Sequence, residues 1–225
     1  MATIKSKTKK SKIKTISTKI SKKTSEAPSF WSTWKRVMVE PAQFYQQLPA
    51  KMGYKEPSVF YLKVSALLLA ILYVFLAFIA LIMVSFLGAL NIPMLSMISA
   101  LGAGVVALIA LIAFPFLLLF YWLCLWISAG ITHLFVMLFG GTKGFNETFK
   151  AAAYASAPIL FSFIPMIGYA ASIYVIVLNV IGIQKRQHLN LGKSIAVILL
   201  PLLFFAVLFL ILFFTFGLFR GMMRL

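Results

Sequence analysis

Aspartate is absent from these 225 residues, and the only acids are Glu26, Glu40, Glu56 and Glu147. An intramembrane protease of the paired-aspartate kind is therefore excluded, and no nucleophile–base pair or interior carboxylate offers a route to catalysis. Cysteine occurs once, as Cys124, so neither a disulfide framework nor a cysteine-rich metal site can form within one chain. The histidines number two. His133 has no carboxylate or cysteine nearby in sequence, which rules out a metal site or a proton relay built on it. "GGTKG" (Gly140 to Gly144) lacks the spacing of a phosphate-cradling P-loop. Charge as a whole is scarce, at 11%. Soluble domains run near a quarter charged, so this chain is not one of them.

What the sequence does hold is apolar length: 62% of it is hydrophobic. Runs far longer than 18 uncharged residues read as membrane-spanning helices. The fold class is all-α, a polytopic transmembrane helix bundle occupying residues 63–219. A first span covers about Val64 to Leu87, and a last one covers about Ser194 to Gly217, with Pro201 inside it. Between Phe145 and Ile183 there is room for two short spans separated by a turn from Pro165 to Gly168. The uncharged stretch Met94 to Phe139 is about 69 Å as one helix, more than twice the hydrocarbon thickness. It holds either two spans or one long span with an irregular lead-in from Asn91 to Gly104.

Charge decides between them. The net charge of +17 is concentrated near the N-terminus, with nine lysines between Lys5 and Lys23. With that end cytoplasmic, five spans put Lys143, Lys150, Lys185, Arg186 and Lys193 inside and only Arg220 and Arg224 outside. Six spans reverse this, against the positive-inside rule. Five spans, N-terminus cytoplasmic and C-terminus outside, is the reading adopted. The stretch "GGTKGFNETFKAAAYASAP" then becomes a cytoplasmic turn bent at its glycines. Asn146 is expected to cap the next helix, Glu147 to stabilise its first turn, and Lys150 to snorkel toward the interface. Small residues at Ala151, Ala155 and Ser156, ahead of Pro158, form a face that a neighbouring helix can approach closely, within the chain or in a homo-oligomer.

Residues 1–27 are rich in Lys, Ser and Thr and read as a disordered cytoplasmic tail. They share an acid-poor bias with organelle transit peptides but lack arginine, and no apolar core of a secretory signal follows them. The tail suits anionic lipid headgroups or a solvated orientation signal. It has no aromatic rings to stack bases, so nucleic acid is not expected as a partner. Residues 28–62 form an interfacial amphipathic segment. Trp31, Trp34, Lys35 and Arg36, then Phe44 and Tyr45 beyond Pro41, suit short helices at the headgroup level, or alternatively a cap on the bundle. Within the spans, His133 and Asn179 are the polar intramembrane positions, with structural or gating roles.

One ordered set of segments resembles a known family. It comprises Trp34 and Arg36, "EPAQFYQQLP" (Glu40 to Pro49), "GYKEP" (Gly53 to Pro57), "FNETFKAAAYASAPILFSFIP" (Phe145 to Pro165) and "LGKSIAVILLP" (Leu191 to Pro201). Together, over about residues 33–215, they resemble the Yip domain family in its short prokaryotic form. The resemblance implies a five-span bundle with a cytoplasmic N-terminus, located in the cell membrane if the source is prokaryotic. Eukaryotic members act in transport between endoplasmic reticulum and Golgi and associate with prenylated GTPases. Their D-L-Y-G-P motif is absent here, and Ala153-Tyr154 stands at their Gly-Tyr pair, so the fold is carried over and the GTPase-binding role is not.

The functional expectation is a non-enzymatic scaffold, adaptor or membrane organiser at the cytoplasmic face, without cofactor or metal, partnered by anionic lipids and by a protein. A transporter or channel for a small neutral or lipidic substrate is the alternative.

Overall fold

A computed structural model describes residues 29–90 and 92–222; the basic tail expected over residues 1–27 lies outside the described residues. The chain divides into two units, Met1–Lys35 and Arg36–Leu225. In the first, Trp31 meets Phe30 and Trp34 edge to face, at centroid distances of 5.1 and 6.0 Å. The helices are α1 (Phe30–Val39), α2 (Pro41–Gln47), α3 (Lys55–Ala89), α4 (Pro93–Leu138), α5 (Phe145–Ala155), α6 (Ile167–Gln187) and α7 (Leu191–Met222). A 3₁₀ segment, Ala157–Phe161, follows α5. Among the described residues there is no strand.

Four helices are long and apolar enough to cross a bilayer: α3, α4, α6 and α7. Their composition explains this directly, since uninterrupted apolar sequence satisfies its backbone only by coiling on itself in lipid. The stretch from Met94 to Gly104, expected as one alternative to be irregular, is helical instead. With Pro93 in the first turn, α4 runs unbroken for 46 residues. The expected third span, from Phe145 onward, is not one continuous helix. It comprises 11 residues of α5 and then five of 3₁₀ helix. Pro158 has no N–H to continue the α ladder, and Ser156 turns its hydroxyl back onto the Ala153 carbonyl at 2.7 Å.

After α2, the second unit consists of two antiparallel hairpins and one outgoing helix. Short connection and ring contacts fix α3 against α4: Tyr54 lies by Trp126 (5.2 Å) and Tyr73 by Phe114 (5.8 Å). The chain reverses after α4 through Gly140 and Gly144, both at positive φ (87° and 80°), where an L side chain would be strained. The α5–3₁₀ arm then runs to the turn before Ile167 and returns as α6. Helix α6 closes at His188 in the left-handed region, φ 55°. Asn190 opens α7 by accepting the Lys193 N–H at 2.8 Å, an N-cap in the ordinary sense.

The start of α3, the end of α4, the start of α5, the end of α6 and the start of α7 thus share one end of the unit. The core lies there too. Val136, Ala151, Ile183 and Val197 form one buried cluster, and Tyr61, Leu125, Ala129, Phe149 and Ala153 another. Toward the other end, α3 from Val74, α4 as far as Phe120 and α7 from Leu202 carry rows of exposed large apolar side chains. In water such a surface would aggregate; it suits hydrocarbon.

Candidate functional site

At the packed end of the bundle, Glu147 in the first turn of α5 is buried between two cations. Lys150 Nζ lies 2.8 Å from its Oε1, and Arg186, in the last turn of α6, engages its Oε2 through Nε (2.5 Å) and Nη2. One carboxylate cannot balance two cations. The remainder of their donors go to the backbone of the segment preceding α3. Arg186 Nη1 donates to the carbonyls of Tyr45 (3.0 Å) and Leu48 (2.9 Å). Lys150 Nζ donates to those of Pro49 and Ala50, both at 3.2 Å. These carbonyls lie in and beyond the last turn of the seven-residue α2, where helix oxygens have no intrahelical partner and negative potential gathers. The cations meet that need, and the result is a clamp that ties residues 45–50 to α5 and α6.

Further polar contacts extend the clamp. Asn146 Nδ2 donates to the Met52 carbonyl at 2.8 Å. Gln187 donates through Nε2 to the Gly144 carbonyl and to Thr148 Oγ1, each at 2.9 Å, and accepts the Lys143 N–H at 3.1 Å. Thr148 in turn pairs with His133 Nδ1 at 2.9 Å. Beneath them Tyr45, fully buried, donates its hydroxyl to the Ala151 carbonyl at 3.2 Å. Burial, helped by neighbouring Tyr154, holds the Tyr45 phenol well above its ordinary pKa, so it stays a donor. Access for that ring depends on Gly182. A Cβ there would come within 2.8 Å of the Ala151 Cβ and 3.1 Å of Tyr45 Cζ. An aromatic wall of Tyr54, Trp126, Phe145 and Phe149 closes one side. It contains a buried Trp126 Nε1 that has no partner among the described residues.

Several expectations change here. Lys150 does not snorkel; it is fully buried, because Glu147 lies one turn back and four backbone oxygens are within reach of the two cations. Asn146 is not the helix cap. Gly144 takes that position, and the Asn146 amide reaches the Met52 carbonyl instead. Phe44 and Tyr45, read as interfacial lipid contacts, are seated in the protein interior, Phe44 edge to face with Tyr154 at 4.9 Å. Their rings leave no surface for lipid, which matches the bundle-capping alternative. Arg36 stays exposed, donating to Gln47 Oε1 with its guanidinium 5.7 Å from the Phe44 ring. Trp31 and Lys35 are exposed, while Trp34 is half-buried. Ala151, Ala155, Ser156 and Pro158 are all buried, and the α5 face they begin packs against α6 of the same chain. His133 belongs to the clamp's edge. Asn179 lies apart from it, donating to the Val175 carbonyl at 3.0 Å within its own helix.

Arg186 and Gln187 complete the site, although the sequence pattern does not single them out. The available signal is thin: Glu147 is the one acid after the first span, and the cations nearest it in sequence are Lys150 and Lys143, with Arg186 39 positions away. Among the described residues, no cluster of three or more metal-ligating side chains exists. The segments that meet at the clamp, residues 45–50, 146–150 and 186–187, all lie within a wider pattern: the Yip1 domain family model matches residues 35–214. No curated protein and no solved structure matches the chain.

Proposed function

Because the chain belongs to the Yip1 domain family, we propose that this integral membrane protein is a non-enzymatic scaffold or adaptor, presenting its pre-membrane segment as a cytoplasmic docking platform. The observation that carries this reading is the clamp. A buried lysine, a largely covered arginine and a carboxylate are devoted to fixing the backbone of residues 45–50, and nothing in their arrangement resembles a nucleophile with its base. A fixed polar platform loses little ordering entropy when a partner binds it.

The orientation belongs to the same proposal. The clamped end carries Lys51, Lys55, Lys143, Lys185 and Lys193, which supports its being cytoplasmic. Helix α3 leaves that end and α4 returns to it; α6 returns to it and α7 leaves. This supports an odd number of crossings, with the interrupted α5–3₁₀ arm as the fifth. The lysine tail would add attraction to anionic headgroups, roughly 1 kcal/mol for each basic residue near the surface.

Crosslinking inside native membranes, read by mass spectrometry, tests the proposal. The full chain is compared with a form lacking residues 1–27 and with a Trp31→Ala/Trp34→Ala form. A defined protein crosslinked to residues 36–52, and weakened in the altered forms, is the expected result. Crosslinks to lipid and to itself alone, unchanged by the alterations, would overturn it.

A further inference from the structure

Below the clamp, among α3, α4, the α5–3₁₀ junction, α6 and α7, lies a cavity of about 380 Å³. Pockets for small ligands begin near that size. Its wall is mostly apolar and holds no charged side chain, yet Tyr61, Ser128, Thr132, Ser156 and Asn179 all line it. Their hydrogen bonds define what they can still offer. Ser128 donates to the Leu125 carbonyl, Ser156 to that of Ala153 and Asn179 Nδ2 to that of Val175. Of the two amide atoms only the nitrogen can donate, so the last contact fixes the amide orientation and leaves Asn179 Oδ1 as an acceptor without a partner among the described residues. Asn179 Oδ1 can only accept, while the Thr132 and Tyr61 hydroxyls can donate or accept, so the lining suits an uncharged ligand with a hydroxyl, which does both. A phosphate or a carboxylate would find no cation there, and burying either charge unpaired is prohibitive.

Depth narrows the class. Asn179 stands eight residues before Gln187, or about 12 Å along α6 from the clamp layer. That is beneath the charged layer, among apolar turns where a charged headgroup would find no counter-ion. Leu202 and Phe205, each about half exposed (50% and 49%), stand on the cavity's lining and offer an apolar exit for a chain. We infer that this cavity binds the hydroxyl end of an uncharged lipid of the diacylglycerol class. The hydroxyl donates to Asn179 Oδ1, Thr132 offers its own hydroxyl as a second partner, and the acyl chains leave past Leu202 and Phe205 into the bilayer.

The test uses the full chain in nanodiscs with three photoactivatable probes of equal chain length. They are a diacylglycerol, its acetylated derivative without the hydroxyl, and phosphatidic acid. The diacylglycerol probe is expected to label peptides covering residues 125–132 and 175–179 about fivefold more than the acetylated probe, the worth of one hydrogen bond. Excess unlabelled diacylglycerol should compete it away. Phosphatidic acid should label no better than the acetylated form. Asn179→Leu should reduce diacylglycerol labelling to that background while labelling of α3 between residues 74 and 86, exposed to bulk lipid, stays constant. Equal labelling by the three probes on the unaltered chain would mark ordinary bilayer contact and overturn the inference, whether or not the variant folds. Preference for phosphatidic acid, or diacylglycerol labelling unmoved by Asn179→Leu, would do the same.

Discussion

Glu147 is the residue on which the packed end depends most. Its carboxylate is the counter-charge for both Lys150 and Arg186, all three largely withdrawn from solvent. Removing one member of a buried pair leaves the others uncompensated, which costs about 3–5 kcal/mol. Glu147→Gln should lower the unfolding free energy in detergent micelles by about that amount. Combining it with Lys150→Met, which removes the excess cation, should recover part of the loss. Losses that simply add would mean that the two side chains are not coupled. This triad was barely legible in the sequence. Glu147 was expected to interact with its own helix start and Lys150 to leave for the surface, as isolated side chains do. What holds them is Arg186, which is 39 positions away from Glu147, together with backbone carbonyls, and carbonyls leave no mark in residue type.

At the scale of elements, the approach of α5 to α6 is set by Ala151 against Gly182. A Cβ on Gly182 would meet the Ala151 Cβ at 2.8 Å, inside any real contact, and would press on the buried Tyr45 ring. Gly182→Ala should therefore destabilise the bundle by about 1–3 kcal/mol, and Ala151→Gly in the same chain should restore most of it. Thermal unfolding of the single and double variants decides this; a neutral Gly182→Ala would show that the helices stand farther apart. The small-residue face on α5 was readable as a packing face because membrane helices approach through such residues. Its partner was not, since Gly182 sits in "NVIGIQ" with nothing to distinguish it from any other glycine. The break after Ala155 was signalled by Pro158, but the apolar run around it concealed the signal. Hydropathy measures transfer to lipid and is blind to whether the backbone continues as α-helix. For α4, uniform apolarity left its continuity open, and nothing between Pro93 and Leu138 interrupts it.

At the scale of the whole molecule, the protein has two different halves. The end with the charges is a packed protein interior, and the far parts of α3, α4 and α7 are apolar helices exposed on most sides. The membrane character of the chain and its helical class were evident from composition, because no other backbone arrangement serves such sequence in lipid. The platform was not evident, since it arises from segments about 100 positions apart, as in the contacts from Lys150 to Pro49 and Ala50. If the platform is what the molecule offers to partners, its order must come from the clamp. Hydrogen exchange of the full chain in nanodiscs, unaltered and with Glu147→Gln, measures this directly. The account predicts that amides between residues 41 and 52 lose protection by about tenfold or more in the variant, while those of α3 between 74 and 86 do not change. Equal protection of residues 41–52 in both forms would contradict it.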